Sequence, residues 1–123
     1  MFAETPHGFT QTFRSLAAYE ASWMWRNSKT RYRLSGAPVE CFICGSPHFE
    51  LHHRSYMYVG SERPSELVAL CADHHCLVER LVRERVARRW DAHLVLRAEI
   101  TSRAGGELRR LTHLDRESWR AAA

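Results

Sequence analysis

Cys41-Phe42-Ile43-Cys44, Leu51-His52-His53-Arg54 and Leu70-Cys71-Ala72-Asp73-His74-His75 are the three short runs that decide how this chain folds. Two C-x-x-[C/H] pairs, Cys41 with Cys44 and Cys71 with His74, supply four thiolate or imidazole donors. Four such donors complete one tetrahedral zinc site. The two-residue spacer lets both members of a pair face one ion, and Gly45 eases the turn after the first pair. The interval between the pairs holds 26 residues. A compact zinc ribbon has about 15–20 there, so the interval must house a folded insert, and that insert carries His52-His53. Cys76 offers a further thiol that could stand in for Cys71 or His74. With a helix begun near Asp73, Cys76 falls roughly 200° around the axis from His74 at about 100° per residue, and a buried thiol is expected. His52, His53 and His75 are surplus to the zinc. A purely structural zinc module has no need of them, and they point to a second metal site that does chemistry. His75 projects about 100° away from His74, toward the strand that carries His52-His53.

The 123 residues suit one domain with a modest core. Hydrophobic content of 45% and charged content of 26% place the chain among ordinary globular proteins rather than disordered ones. No apolar run approaches the ~18 residues of a membrane span, and Met1–Thr10 lacks the features of a secretory signal. A cytoplasmic protein of a bacterial or phage-infected cell is expected, and in such a reducing compartment C-x-x-C reads as metal or redox chemistry before disulfide. A thioredoxin-like redox motif would need a βαβ context, which Cys41 lacks. The net charge of +4 is unevenly spread. Residues 1–33 carry five bases against two acids, residues 34–79 two against six, and residues 80–123 eleven against six. Basic flanks around an acidic, histidine-rich centre suit a polyanion gripped at the edges and a cation held in the middle. Seventeen of the 18 bases are arginine, whose fork fits phosphate oxygens. Solvated helix faces would account for the same arginines.

Along the chain, Phe13, Leu16, Tyr19 and Trp23 predict a helix over residues 12–34, closed by Ser35-Gly36-Ala37-Pro38. Residues 39–44 form a knuckle, and residues 49–58 contain a strand. Residues 60–66 form a loop, and Leu67–Leu70 is a short buried strand. A long helix starts near Asp73, which is placed to cap it. Its stripe runs through Leu77, Val78, Leu81, Val82, Val86, Trp90 and Leu94. Gly105-Gly106 precedes a last short helix over residues 107–120. Trp23, Trp25 and Trp90 lie on helical stripes and are expected in the core. His93 is expected at the core edge and His48 in solvent, while His7 and His113 have no partners in sequence.

The order strand with histidines, loop, short strand, helix with a closing histidine resembles the HNH endonucleases of the His-Me finger (ββα-metal) class, in their zinc-knuckle form from phage and bacteria. The residues that carry the likeness are Cys41-x-x-Cys44, Leu51-His52-His53-Arg54-Ser55-Tyr56, Gly60, Glu62, Glu66-Leu67-Val68-Ala69-Leu70-Cys71 and His74-His75. Tyr19-Glu20-Ala21-Ser22-Trp23 through Arg33 is similar to the family's N-terminal helix. The likeness covers about residues 19–80. It implies an α+β fold: a small ββα-metal core with a zinc knuckle at about residues 39–82, an N-terminal helical arm at about 12–35 and a C-terminal helical extension at about 83–123. It further implies a single nuclease domain, His53 as the general base that activates water, and His52 and His75 as ligands of a catalytic divalent ion such as Mg2+, Mn2+, Ni2+ or Zn2+. Cys41, Cys44, Cys71 and His74 would hold a structural Zn2+, with His74 standing where cysteine is usual. Glu66 falls where the family places an asparagine. It could orient His53, ligate the metal, or be a loop acid with no role.

The expected partner is DNA, most naturally double-stranded, with no membrane. Arg54 is expected at phosphate, and Arg80, Arg83, Arg85, Arg88 and Arg89 follow His75 on the same helix, with Arg83, Arg85 and Arg89 foremost along the backbone. The alternative, from a different functional class, is a non-catalytic zinc-stabilised module that binds nucleic acid. Neighbouring strand residues face opposite ways, so His52 and His53 can share one site only at an irregular strand end.

Overall fold

The computed structural model describes residues 2–4 and 10–103, which divide into two compact units. Among the described residues, the first comprises those up to 37 and residues 55–67, and the second residues 38–54 and 68–103.

The first unit opens with a hairpin of β1 (Phe2–Glu4) and β2 (Thr10–Thr12), antiparallel with Ala3 opposite Gln11. The sequence pattern had no alternation there to announce it. The helix expected over residues 12–34 is two helices, α1 (Leu16–Glu20) and α2 (Trp23–Leu34). The reason lies in two serines. Ser15 Oγ accepts from Ala18 N at 3.2 Å and caps α1, and Ser22 Oγ accepts from Trp25 N at 3.4 Å and caps α2. Each satisfies an amide that a helix start leaves unpaired. Gly36, at φ 82°, takes the left-handed conformation that follows the end of α2. Tyr19 sits at the centre of this unit, edge-on to Phe13 at 5.4 Å and tilted against Trp25 at 5.9 Å. Its hydroxyl meets both Glu62 oxygens, at 2.9 and 2.8 Å, and accepts from Gly60 N at 3.0 Å. Ser28 Oγ donates to Glu62 at 2.7 Å, and Arg31 donates to Ser28 Oγ at 2.9 Å. The buried carboxylate is thus surrounded by donors, as burial requires. Trp25 joins this core, whereas Trp23 is 42% exposed rather than buried.

The second unit holds β3 (Glu50–His53) and, from Val68 on, β4 (Leu67–Leu70), which pair in a second two-stranded sheet, and α3 (Ala72–Arg83) and α4 (Ala92–Arg103). The amide of Phe42 donates to Ala69 O at 2.8 Å and sews the cysteine knuckle to β4. All four residues of β4 are buried, in keeping with its unbroken apolar run. Cys71, not Asp73, is the N-cap of α3, its Sγ accepting from His74 N at 3.5 Å. Asp73 lies in the first turn, where its charge still suits the helix dipole.

The long helix expected from Asp73 past Leu94 breaks after Arg83. Arg85 takes the left-handed conformation at φ 59°, and the amides of Val86 and Ala87 turn back to Leu81 O. The chain reverses, and Ala92, Leu96 and Ile100, spaced four apart, pack with Leu77, Val78 and Leu81. The outer end of the expected stripe is therefore displaced: Val86, Trp90 and Leu94 are 61%, 45% and 46% exposed. The glycine break at Gly105-Gly106 and the helix expected over residues 107–120 lie outside the described residues, as do His7 and His113. No helix among the described residues is long and apolar enough to cross a membrane.

Candidate metal centre

The knuckle after Pro38, the end of β4 and the first turn of α3 bring Cys41, Cys44, Cys71 and His74 together, with one donor atom from each within 4.8 Å of the others. His74 Nδ1 stands 3.1 Å from Cys71 Sγ and 3.5 Å from Cys41 Sγ, and the Cys44 and Cys71 sulfurs are 3.9 Å apart. A tetrahedron with Zn–S near 2.3 Å and Zn–N near 2.0 Å has edges of about 3.5–3.8 Å. The four donors therefore already fit such an ion. Their electrostatics point the same way. Burial pushes the Cys71 thiol up to about 12, and the neighbouring Cys41 and Cys44 add to the shift. Burial raises Cys44 as well. Burial would also raise Cys41, but hydrogen bonds from His74 and from the backbone bring it down to about 6. Without a cation one thiolate forms and its neighbours stay protonated; a bound dication removes that conflict. The cluster could bind a metal such as zinc.

Cys76 takes no part in this cluster and is exposed, which corrects the expectation of a buried thiol. The angle was sound, but His74 faces inward, so a side chain about 200° away on α3 faces out.

A second group forms beside it. His52 on β3, His75 on the first turn of α3 and Glu79 one turn further place one donor atom each within 4.8 Å of one another. Glu79 Oε1 is 3.0 Å from His52 Nδ1 and 3.5 Å from His75 Nε2. Sequence reasoning missed Glu79, although its signal was present: it lies four residues after His75, on the same face of the helix. The other nitrogen of His75, Nδ1, is hydrogen-bonded to Glu50 Oε1. Metal-binding histidines characteristically spend their second ring nitrogen on a carboxylate in this way. Nε2 of His52 is buried with no hydrogen-bond partner. The rings of His52 and His75 meet edge-on at 5.4 Å.

Burial lowers the His52 pKa despite the opposing hydrogen bond and charge of Glu79. In His75, burial is outweighed by Glu79 and Glu50, and the pKa rises. Glu79 is only half-buried, and although that burial would raise it, His52, His75 and Arg89 hold its carboxyl far below the usual range. Glu79 is thus an anion facing two imidazoles. Two nitrogens and a carboxylate oxygen in this arrangement suit a divalent ion.

The remaining candidates are distributed as follows. His53 follows His52 on β3 and is 2% exposed, and its carbonyl accepts from Arg89 at 3.2 Å. Glu66 lies in the unit containing residues 55–67, at the end of a single helical turn, Pro64–Glu66. Its carboxylate accepts from the Arg63 amide at 3.2 Å and from Arg63 Nε at 3.0 Å. Arg54 stacks on the Trp90 ring at 3.8 Å and donates to Trp90 O at 2.9 Å. Of the arginines expected on one helix after His75, only Arg80 and Arg83 are on α3. Arg80 is buried against Glu84, whereas Arg83 is exposed. Arg85, Arg88 and Arg89 fall in the reversal before α4 because the helix ends early. Arg85 is exposed, and Arg89 commits both terminal nitrogens to Glu79 at 2.8 Å. His93 is buried beneath Phe42 at 5.0 Å between ring centroids, deeper than the core edge expected of it.

Comparison with family models, with curated proteins and with solved structures yields no match. The α+β architecture and the Cys3His cluster therefore stand on this chain's own residues.

Proposed function

We propose that this protein is a metal-dependent endonuclease of the HNH class that hydrolyses phosphodiester bonds of DNA. The observation that carries the reading is the second cluster, His52, His75 and Glu79, set beside a complete Cys3His set that already accounts for structural zinc. A divalent ion held there would supply Lewis-acid stabilisation of charge on the scissile phosphate and the departing oxygen. The chain's own groups divide the remaining work. His52, His75 and Glu79 would hold the ion, and Glu50, on the other nitrogen of His75, would orient that ring. His53 is the general base, taking a proton from water through its imidazole. Exposed arginines, Arg83 and Arg85 among them, meet the phosphate backbone. Glu66, engaged by Arg63, acts in this reading as a structural acid of its loop.

The second reading is a zinc-stabilised nucleic-acid-binding module without catalysis. The burial of His53, at 2% exposure, favours it, because a base must reach a water molecule. A plasmid-cleavage assay with EDTA treatment and add-back of Mg2+, Mn2+, Ni2+ or Zn2+ separates the two. Cleavage abolished by EDTA and restored by a divalent ion is expected. DNA binding with no cleavage under any metal leaves the binding module.

A further inference from the structure

We infer that Arg89 is a specificity-determining residue of the His52–His75–Glu79 centre, restricting it to borderline transition ions such as Co2+, Ni2+ or Zn2+ against Mg2+; this rests on the metal-centre reading above. Arg89 NH1 and NH2 each donate to one oxygen of Glu79 at 2.8 Å, the two-pronged geometry of a guanidinium on a carboxylate. That contact fixes the plane of the carboxylate. It turns Oε1 toward His52 Nδ1 and His75 Nε2 and keeps Oε2 on the arginine side. Glu79 can thus offer the ion one oxygen, and the charge of that oxygen is already shared with a cation. Mg2+ and Ca2+ depend on carboxylate charge and on many oxygen ligands. Ions that favour imidazole do not, and they lose less when the single carboxylate is neutralised.

The reversal between α3 and α4 is built to present this side chain. Arg88 is tied to Asp91 at 3.0 Å on one side of Arg89. Trp90, on the other side, is held by the Arg54 guanidinium at 3.8 Å from its ring and by Arg54 Nε on its carbonyl. The amides of Arg85 and Val86 close the turn onto Val82 O and Leu81 O. Arg89 NH1 also reaches His53 O at 3.2 Å, which anchors the fork to β3 as well as to α3. An arginine kept for nucleic-acid phosphate alone would have no use for this fastening.

The test is calorimetric titration of zinc-loaded protein with Co2+ and, separately, with Mg2+, without nucleic acid. Wild type is expected to take up one Co2+ and to prefer it strongly over Mg2+. In Arg89→Met the freed carboxylate regains its charge and its second oxygen, and the ratio of Co2+ to Mg2+ affinity is expected to fall about tenfold or more, the size of effect that partners of metal ligands exert. Arg89→Lys keeps the charge but loses the fork, and its ratio is expected to lie between the two; it decides the matter if Arg89→Met does not fold, as judged by zinc content and circular dichroism. An unchanged ratio in the folded variants overturns the role of Arg89 while leaving the metal centre standing. Wild-type protein that binds no Co2+ beyond its zinc overturns both.

Discussion

Glu50 Oε1 is hydrogen-bonded to Nδ1 of His75, so the opposite nitrogen of that ring, Nε2, is the one that faces Glu79 at 3.5 Å. A residue at the start of β3 thereby selects the tautomer of a residue on α3. With the Nδ1–H hydrogen bond accepted by that carboxylate, Nε2 would be the nitrogen whose lone pair is offered to a metal ion in the cluster.

Glu50→Gln should therefore weaken binding of the second metal ion by about tenfold, the low end of the range for such partners. The Cys3His zinc, which shares no residue with Glu50, should be unaffected. Calorimetry with Co2+ alongside zinc analysis checks both. Equal Co2+ affinity in variant and wild type would leave Glu50 as a surface acid with no part in the centre.

Zinc removal should be felt by the core as well as by the ligands. Cys41 is packed with Ile43, Leu70, Leu77 and Leu81, and Cys44 and Cys71 lie against the same cluster. Purified protein should hold one tightly bound zinc, and Cys41→Ser should lose both the zinc and the cooperative unfolding of residues 38–54 and 68–103. Zinc analysis and thermal denaturation followed by circular dichroism test this. A zinc-free protein with an intact melting transition would contradict it.

These two expectations differ in how far they were legible in the chain. The Cys3His set is a matter of spacing, and spacing along a turn or the first turn of a helix survives into the fold nearly unchanged. Leu67–Leu70 was legible for a similar reason, since a four-residue apolar run between a loop and a helix start has few other uses. Long-range choices were not. Val86, Trp90 and Leu94 continue the period of Leu77 and Leu81, and nothing local told the continuous helix from a reversal that lets Ala92, Leu96 and Ile100 return to the same core. The apolar period from Phe13 to Trp23 runs across Ser15 and Ser22 without a break, so the two caps that divide the segment had no trace in it. Glu79 and Arg89 illustrate the limit for the site. The spacing of Glu79 from His75 can be read in the chain, but only the fold sets it against His52, and Arg89, expected along nucleic-acid backbone, instead grips Glu79.

Tyr19→Phe should destabilise the unit built from residues 1–37 and 55–67 without touching either metal cluster. The hydroxyl links Glu62 and the amide of Gly60, and its removal leaves a buried carboxylate short of a donor. The cost should be about 1–3 kcal/mol. Urea unfolding of the variant against wild type measures it, and a difference below about 0.5 kcal/mol would mean that water replaces the hydroxyl.

His93 sets an acid limit on stability. Burial, with the nearby charges of Arg54 and His52 adding to it, holds its pKa down to about 4 from the ordinary 6.5. A histidine lowered in the folded state binds fewer protons there than in the unfolded chain, so stability falls as pH drops from about 6.5 to about 4 and is unaffected above that window. The loss attributable to this residue is on the order of 3 kcal/mol at the acid end. His93→Leu should flatten that part of the profile relative to wild type. Parallel curves for the two proteins between pH 6.5 and 4.5 would remove His93 from the account.

His53 separates chemistry from folding. It belongs to neither cluster of metal donors, so His53→Ala should keep its zinc and its affinity for a second divalent ion. DNA binding should persist, because the phosphate contacts proposed above fall to arginines such as Arg83. Its buried ring leaves a cavity on truncation, and some loss of stability is expected, short of unfolding. Cleavage should fall by about 10²–10⁴-fold, the usual worth of a positioned base. His75→Ala should also stop cleavage, but by weakening the metal site, so excess divalent ion should restore part of the activity to that variant and none to His53→Ala. Plasmid cleavage across a metal titration distinguishes the two patterns. If folded His53→Ala cut DNA as fast as wild type, the base would lie elsewhere and the endonuclease reading would give way to the binding module.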